Sequence, residues 1–197
     1  MKSSARPQSG VGSLRIIGGR WRRRTLHFPD RPGLRPTPDR VRETLFNWLQ
    51  ADVPGSVCLD LFAGSGALGL EAASRGALQV LLLEQDKAAA QALLHNIATL
   101  SAVQAKVLQR DTMAFLQAGR APDAPPFDLV FIDPPYQSGL LTPCCDLLEQ
   151  GDWLAGNARI YLECEAASEP AVPAGWQLLK QKRAGQVAYY LFSRTQE

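Results

Sequence analysis

Between residues 57 and 163 the sequence alternates repeatedly between two hydrophobic periods, and this limits the fold more than any other feature. Short apolar runs at 57–61, 80–84, 106–108, 127–132 and 159–163 are separated by stretches with helical spacing. The clearest helix runs from 86 to 100, with Ala90, Leu93, Leu94, Ile97 and Leu100 on one face. Others end near Gly76, span 112–117 and lie near 140–148. Near-continuous apolar strands alternating with helices predict a parallel sheet covered on both faces. The end of the chain breaks the rhythm, because 176–182 and 186–192 flank a tight turn at Arg183-Ala184-Gly185. The expected fold is α/β and Rossmann-like: a mostly parallel sheet flanked by helices and finished by an antiparallel C-terminal hairpin.

The first 42 residues have a different character. They hold 11 Lys/Arg against 2 Asp/Glu, whereas the remainder carries a net charge of −7. Such asymmetry suits a large anionic partner, most simply a nucleic acid. Residues 14–17 and 20–24 read as two short strands around Gly18-Gly19. A proline-rich stretch, 29–38, follows, with Thr37 as helix N-cap and Pro38 in the first helical position. Val41, Leu45, Trp48 and Leu49 then recur at helical spacing over 38–50. The chain thus divides into a basic arm and hairpin, 1–37, and a main domain, 38–197. Removal of residues 1–35 is expected to weaken nucleic-acid binding and spare cofactor binding.

Composition closes off several classes. With 197 residues, 46% of them apolar, the chain can bury one ordinary core. No apolar run approaches the ~18–20 residues of a membrane span, and residues 1–15 lack the apolar centre of a secretory signal. Cys58, Cys144, Cys145 and Cys164 form no CxxC, and only His27 and His95 accompany them, so no metal site is expected. The reading is a protein of the reducing cytoplasm. A single domain without heptads is expected to be a monomer. Asp86 reads as a helix cap, His95 as exposed and the Cys144-Cys145 pair as packing.

Two constellations carry chemistry. Asp60-Leu61-Phe62-Ala63-Gly64-Ser65-Gly66-Ala67-Leu68-Gly69 ends the first sheet strand and opens a helix. Glycines there allow a ligand close to the backbone, and a helix N-terminus offers unpaired N–H groups. Glu84 ends the next strand, where a carboxylate commonly accepts hydrogen bonds from ribose hydroxyls. NAD and S-adenosylmethionine both present an adenosine to such a sheet. Asp60 suits the amino-acid portion of a sulfonium ligand better than a pyrophosphate, which it would repel.

The second constellation, Asp133-Pro134-Pro135-Tyr136, follows the fourth strand and so shares the sheet edge of the glycine loop. Consecutive prolines make a rigid bend without N–H donors. A carboxylate and a proline carbonyl supply two acceptors for an exocyclic NH2 group, and an adjacent aromatic ring can stack on an extruded base. Acceptors that favour a pyramidal nitrogen expose its lone pair to a methyl donor.

The two constellations together resemble the class I S-adenosylmethionine-dependent methyltransferases that act on exocyclic amines. More closely, the chain resembles the RsmD family, bacterial guanine-N2 methyltransferases of small-subunit (16S) ribosomal RNA. Residues 15–21 (Arg-Ile-Ile-Gly-Gly-Arg-Trp) and 34–49 add to the likeness, which covers roughly 14–192. It implies S-adenosylmethionine as cofactor, no metal, and 16S ribosomal RNA or the small subunit as partner. It implies that Asp60, with Phe62, Ala63, Gly64, Ser65 and Gly66, holds the methionine portion, Glu84 the ribose and Asp111 the adenine amine. Asp133 and Pro134 would bind the guanine amine and Tyr136 would stack on the base, with Pro135 completing the catalytic motif. Arg20, Trp21, Arg22, Arg24, Arg35 and Arg40 would face RNA, with Trp21 equally readable as hairpin packing. Arg23-Arg24-Thr25 departs from the family's pattern of a small residue followed by basic ones. Adenine-N6 methylation of DNA or RNA is the neighbouring alternative. A non-catalytic RNA-binding assembly factor and an NAD-dependent oxidoreductase lie further off.

Overall fold

A computed structural model describes residues 10–31, 34 and 36–195. A two-stranded antiparallel sheet, β1 (Val11–Arg15) and β2 (Thr25–Pro29), precedes helix α1 (Asp39–Trp48). The alternation then follows: β3 (Val57–Asp60), α2 (Gly69–Ser74), β4 (Gln79–Glu84), α3 (Lys87–Leu100), β5 (Ala105–Gln109), α4 (Thr112–Gln117), β6 (Phe127–Ile132), α5 (Leu141–Gln150) and β7 (Leu154–Glu165). The antiparallel pair β8 (Trp176–Ala184) and β9 (Val187–Arg194) ends the chain. The seven-stranded sheet has the order β5-β4-β3-β6-β7-β9-β8. The chain winds outward from β3 to β5, then returns to lay β6 beside β3. Neighbouring strands whose connections leave in opposite directions open a crevice at their carboxyl ends, where ligands of open α/β sheets bind.

Two apolar clusters cover the sheet faces. One joins Leu45, Phe46, Leu70, Leu93, Phe131, Tyr161 and Tyr189. The other joins Phe115, Leu116, Val130, Cys144, Cys145, Leu148, Trp153 and Ile160. The vicinal cysteines are therefore packing residues, His95 is exposed, and Asp86 caps α3 by accepting from Ala89 N at 2.9 Å. All four cysteines are free thiols. Among the described residues, no helix is long and apolar enough to cross a membrane.

The N-terminal hairpin differs from expectation in register and in its relation to the main domain. Residues 19–21 form a 3-10 turn rather than a strand, and the two strands lie farther out along the chain. The cause is tertiary. Ile17 N and Gly18 N donate to the Glu71 carboxylate, both at 2.8 Å, and Trp21 N donates to Ser74 Oγ at 3.0 Å. These N–H groups are directed to α2, not to a tight hairpin. Gly19, at φ +74°, lies so close to α2 that a Cβ would collide with the Ser74 carbonyl. Leu14, Ile16, Trp21, Leu26 and Phe28 are buried in the same core as α1 and α3. The hairpin residues 11–29 are thus not separable without exposing that core.

Trp21 is only 5% exposed. Its placement on the RNA face is corrected: the ring fills the junction between hairpin and α2, and Arg20 lies against it, 5.9 Å from ring centroid to guanidinium carbon. Arg42 of α1 is wholly buried. Its guanidinium donates to Thr37 O, Arg15 O and Asp39 Oδ1, and its Nη1 lies 3.6 Å from Glu71 Oε2.

Candidate active site at the sheet switch point

Asp60 and Asp133 end the adjacent strands β3 and β6 at the switch point. The glycine loop leaves β3, and its backbone is tied down by two carboxylates. Asp60 Oδ2 accepts from Gly69 N at 2.9 Å, at the start of α2. Glu84 Oε2 accepts from Gly64 N at 2.8 Å, and Oε1 from Asp86 N at 2.7 Å. Each carboxylate oxygen keeps a further lone pair for a ligand's hydroxyl or ammonium donor. Gly66 adopts φ +81°, and a Cβ there would stand 2.7 Å from both Leu70 and Leu93, so only glycine fits this turn. Ala63 and Ser65 are buried and Phe62 half-buried beneath the loop. Leu34 lies over it, since a Cβ at Gly64 would meet Leu34 Cδ1 at 2.9 Å.

Asp111 caps α4 just beyond β5, its Oδ1 accepting from Ala114 N at 2.8 Å. The same side chain is exposed, on the flank of the crevice that lies two strands from β3. Asp133 and Pro134 are half-buried at the end of β6, and Pro135 and Tyr136 are exposed. Tyr136 is 65% exposed, an unusual state for so large a ring and one that leaves its face open for stacking. Arg20, Arg22, Arg24 and Arg40 are exposed, and Arg24 also reaches Thr99 O at 3.3 Å. Arg35 lies outside the described residues.

The site contains residues that motif reading passed over. Thr37 does not cap α1: the helix starts at Asp39 after Pro38, and no side chain caps it. Its hydroxyl instead donates to Asp133 Oδ2 at 3.4 Å. Tyr161 donates to Glu163 Oε1 at 2.7 Å on β7, where Glu163 is 7% exposed. A carboxylate at the carboxyl end of an otherwise apolar strand was the available signal, since that is the ligand edge of the sheet.

Burial dominates the electrostatics. It pushes the Asp60 carboxyl up to about 7, against the Gly69 N–H, with the charge of Asp133 adding to the rise. It raises Asp133 to about 6, opposed by the Thr37 hydroxyl. It raises Glu163 to about 8, helped by the charge of Asp133. An acidic, water-poor edge of this kind repels a pyrophosphate and attracts a cation. Among the described residues, no cluster of His, Cys, Asp and Glu side chains suits a metal ion.

A mostly parallel sheet with an antiparallel closing hairpin, a glycine loop after the first strand and an Asp-Pro-Pro-Tyr bend after the fourth define a class I methyltransferase. The family model described as Conserved hypothetical protein 95 matches residues 14–193. Ribosomal RNA small subunit methyltransferase D of Escherichia coli K12 is 54% identical over 94% of this chain and 92% of that protein. The protein of the same name from Haemophilus influenzae is 46% identical over 92% and 94% of the two chains. The solved structure of the yhhF protein of Escherichia coli superposes with a TM-score of 0.84 at 52% identity, covering 94% of this chain and all of that one. The chain belongs to this family, the RsmD methyltransferases.

Proposed function

We propose that the protein transfers a methyl group from S-adenosylmethionine to the exocyclic N2 of a guanine in small-subunit (16S) ribosomal RNA. The observation that carries this reading is the meeting of the Asp133-Pro134 acceptor pair with a carboxylate-held glycine loop at one switch point. The names of the relatives support ribosomal RNA of the small subunit as substrate. The basic N-terminal face supports an anionic polymer. The four free thiols fit a reducing cytoplasm, where the protein acts as a monomer.

The donor set suits the cofactor. Asp60 and the backbone of Ala63, Gly64 and Gly66 match an ammonium-bearing methionine portion, Glu84 the ribose hydroxyls, and Asp111 the adenine amine. When bound, S-adenosylmethionine supplies an electrophilic sulfonium methyl group. Asp133 and the Pro134 carbonyl accept hydrogen bonds from the guanine amine and turn its lone pair out of conjugation with the ring. Tyr136 stacks on the extruded base. Holding the amine in line is mainly positioning, worth several kcal/mol, on the order of the gains from intramolecular orientation. As the nitrogen–carbon bond forms, Asp133 stabilises the positive charge growing on nitrogen and accepts its proton after transfer.

The test is incubation with radiolabelled S-adenosylmethionine and small ribosomal subunits from cells lacking the enzyme, followed by digestion to nucleosides. Label in N2-methylguanosine is the expected result. Label in N6-methyladenosine would keep the fold and cofactor but overturn the base.

A further inference from the structure

The amine-binding carboxylate has a second carboxylate beside it. Ile132 of β6 pairs with Leu162 of β7, so Asp133 and Glu163 are the next residues along adjacent parallel strands. Glu163 is buried, and Tyr161 on the same strand donates to it at 2.7 Å. The Thr37 hydroxyl donates to Asp133 Oδ2 at 3.4 Å. From β9, Tyr189 stands opposite Glu163 in the sheet register, with its ring 6.3 Å from Tyr161. Asp60 faces Asp133 from β3. Among the described residues, no lysine or arginine pairs with either carboxylate.

We propose that Glu163, held by Tyr161 beside an Asp133 that Thr37 holds in turn, is a positioning residue that keeps Asp133 aimed at the substrate amine. A buried and a half-buried carboxyl side by side, without a cation, do not both carry charge at neutral pH, so the pair shares one proton. Glu163, the more deeply buried of the two, holds that proton and behaves as a neutral hydrogen-bonding wall. Asp133, half-buried at the ligand edge, is left with the single negative charge as the acceptor. The hydroxyls of Tyr161 and Thr37 fix the geometry of the two groups. Above the pH at which Glu163 ionises, two adjacent charges repel and the acceptor is displaced.

This inference rests on the reading of Asp133 as the amine acceptor, and the test separates the two. kcat and cofactor affinity are measured from pH 5.5 to 9.5 for the wild type and for Glu163→Gln, Glu163→Met and Asp133→Ala. The expected wild-type profile rises through about pH 6 and falls above about pH 8. Glu163→Gln, a neutral isostere, keeps kcat within about threefold at pH 7 and loses the alkaline fall. Glu163→Met, of similar volume without the hydrogen bonds, loses at least about tenfold in kcat with cofactor affinity unchanged. Glu163→Met at the wild-type kcat, or an identical alkaline limb in Glu163→Gln, overturns the role of Glu163 alone. Wild-type turnover in Asp133→Ala overturns the acceptor reading and this inference with it.

Discussion

Asp60 and Asp133 end neighbouring strands, yet their carboxylates hold different partners. Asp60 Oδ2 receives the Gly69 N–H, so it holds the opening of α2 as well as facing the crevice. An asparagine keeps that acceptor while removing the charge. Asp60→Asn is therefore expected to fold normally and to bind S-adenosylmethionine about 10–100-fold more weakly, the loss of one charged hydrogen bond, by isothermal titration calorimetry. The sign of the pH effect follows from burial. The folded carboxyl titrates near 7 rather than at its ordinary 3.8, so the folded state binds more protons between those values. Stability is then lost as pH rises through that window. The Tm of Asp60→Asn relative to wild type should rise between pH 5 and pH 8, and a constant difference would refute the assignment. At Asp133 only the chemistry is at stake. Asp133→Ala should lower kcat by about 10²–10³-fold, the scale of one transition-state contact, with cofactor affinity retained.

The hairpin and α2 meet through one glutamate, and this contact decides how the N-terminal elements are held. Glu71 accepts from Ile17 N, Gly18 N and Arg75 Nε, and its charge faces the buried Arg42. Removing it leaves Ile17 N and Gly18 N without their acceptor, while Arg42 keeps Asp39 as its carboxylate partner. Glu71→Ala should cost about 2–5 kcal/mol in urea unfolding, the scale of two buried donors left unpaired at about 1–3 kcal/mol each. A loss below about 1 kcal/mol, the range of surface pairs, would show that the contact does little. The same contact explains why Gly18-Gly19 does not make the plain hairpin that its residues suggest. Paired glycines announce a bend, but the partner of each N–H decides its shape, and here the partners lie 53 and 54 residues away in α2.

Across the whole molecule, charge is segregated relative to the site. Arg20, Arg22 and Arg40 are exposed, whereas Asp60, Glu84, Asp111 and Asp133 stand at or just beyond the carboxyl ends of β3, β4, β5 and β6. On the proposed function, a nucleic acid held by these arginines presents one base to the acidic edge while its phosphates stay clear of it. Reversing Arg20 and Arg22 to glutamate should weaken binding to 16S ribosomal RNA and flatten the plot of log affinity against log salt. The slope should fall by about 0.7–0.9 for each phosphate that is no longer neutralised. Cofactor affinity should not change. Equal salt slopes for variant and wild type would remove this face from the interface. Truncation at residue 35 would answer a different question, since it opens the core around Leu26 and Phe28.

Local rules made much of this molecule legible from its residues. The alternation of periods determined the order of strands and helices from β3 to β9, because a buried parallel strand and an amphipathic helix have different hydrophobic repeats. Asp86 caps α3 by a bond that spans only three residues, and the glycine loop and the Asp-Pro-Pro-Tyr bend carry their geometry in neighbouring residues. What the fold alone decided are partnerships across large sequence separations. Thr37 meets Asp133 from 96 residues away, where a local rule would make it a helix cap. Trp21 and Arg42 are buried where local patterning allows a surface position, because the face that covers them comes from α2 and the hairpin together. Glu163 stands beside Asp133 only because β6 and β7 pair in one register. A sequence states which groups are charged or apolar; only the packed sheet states which of them must share a space without water.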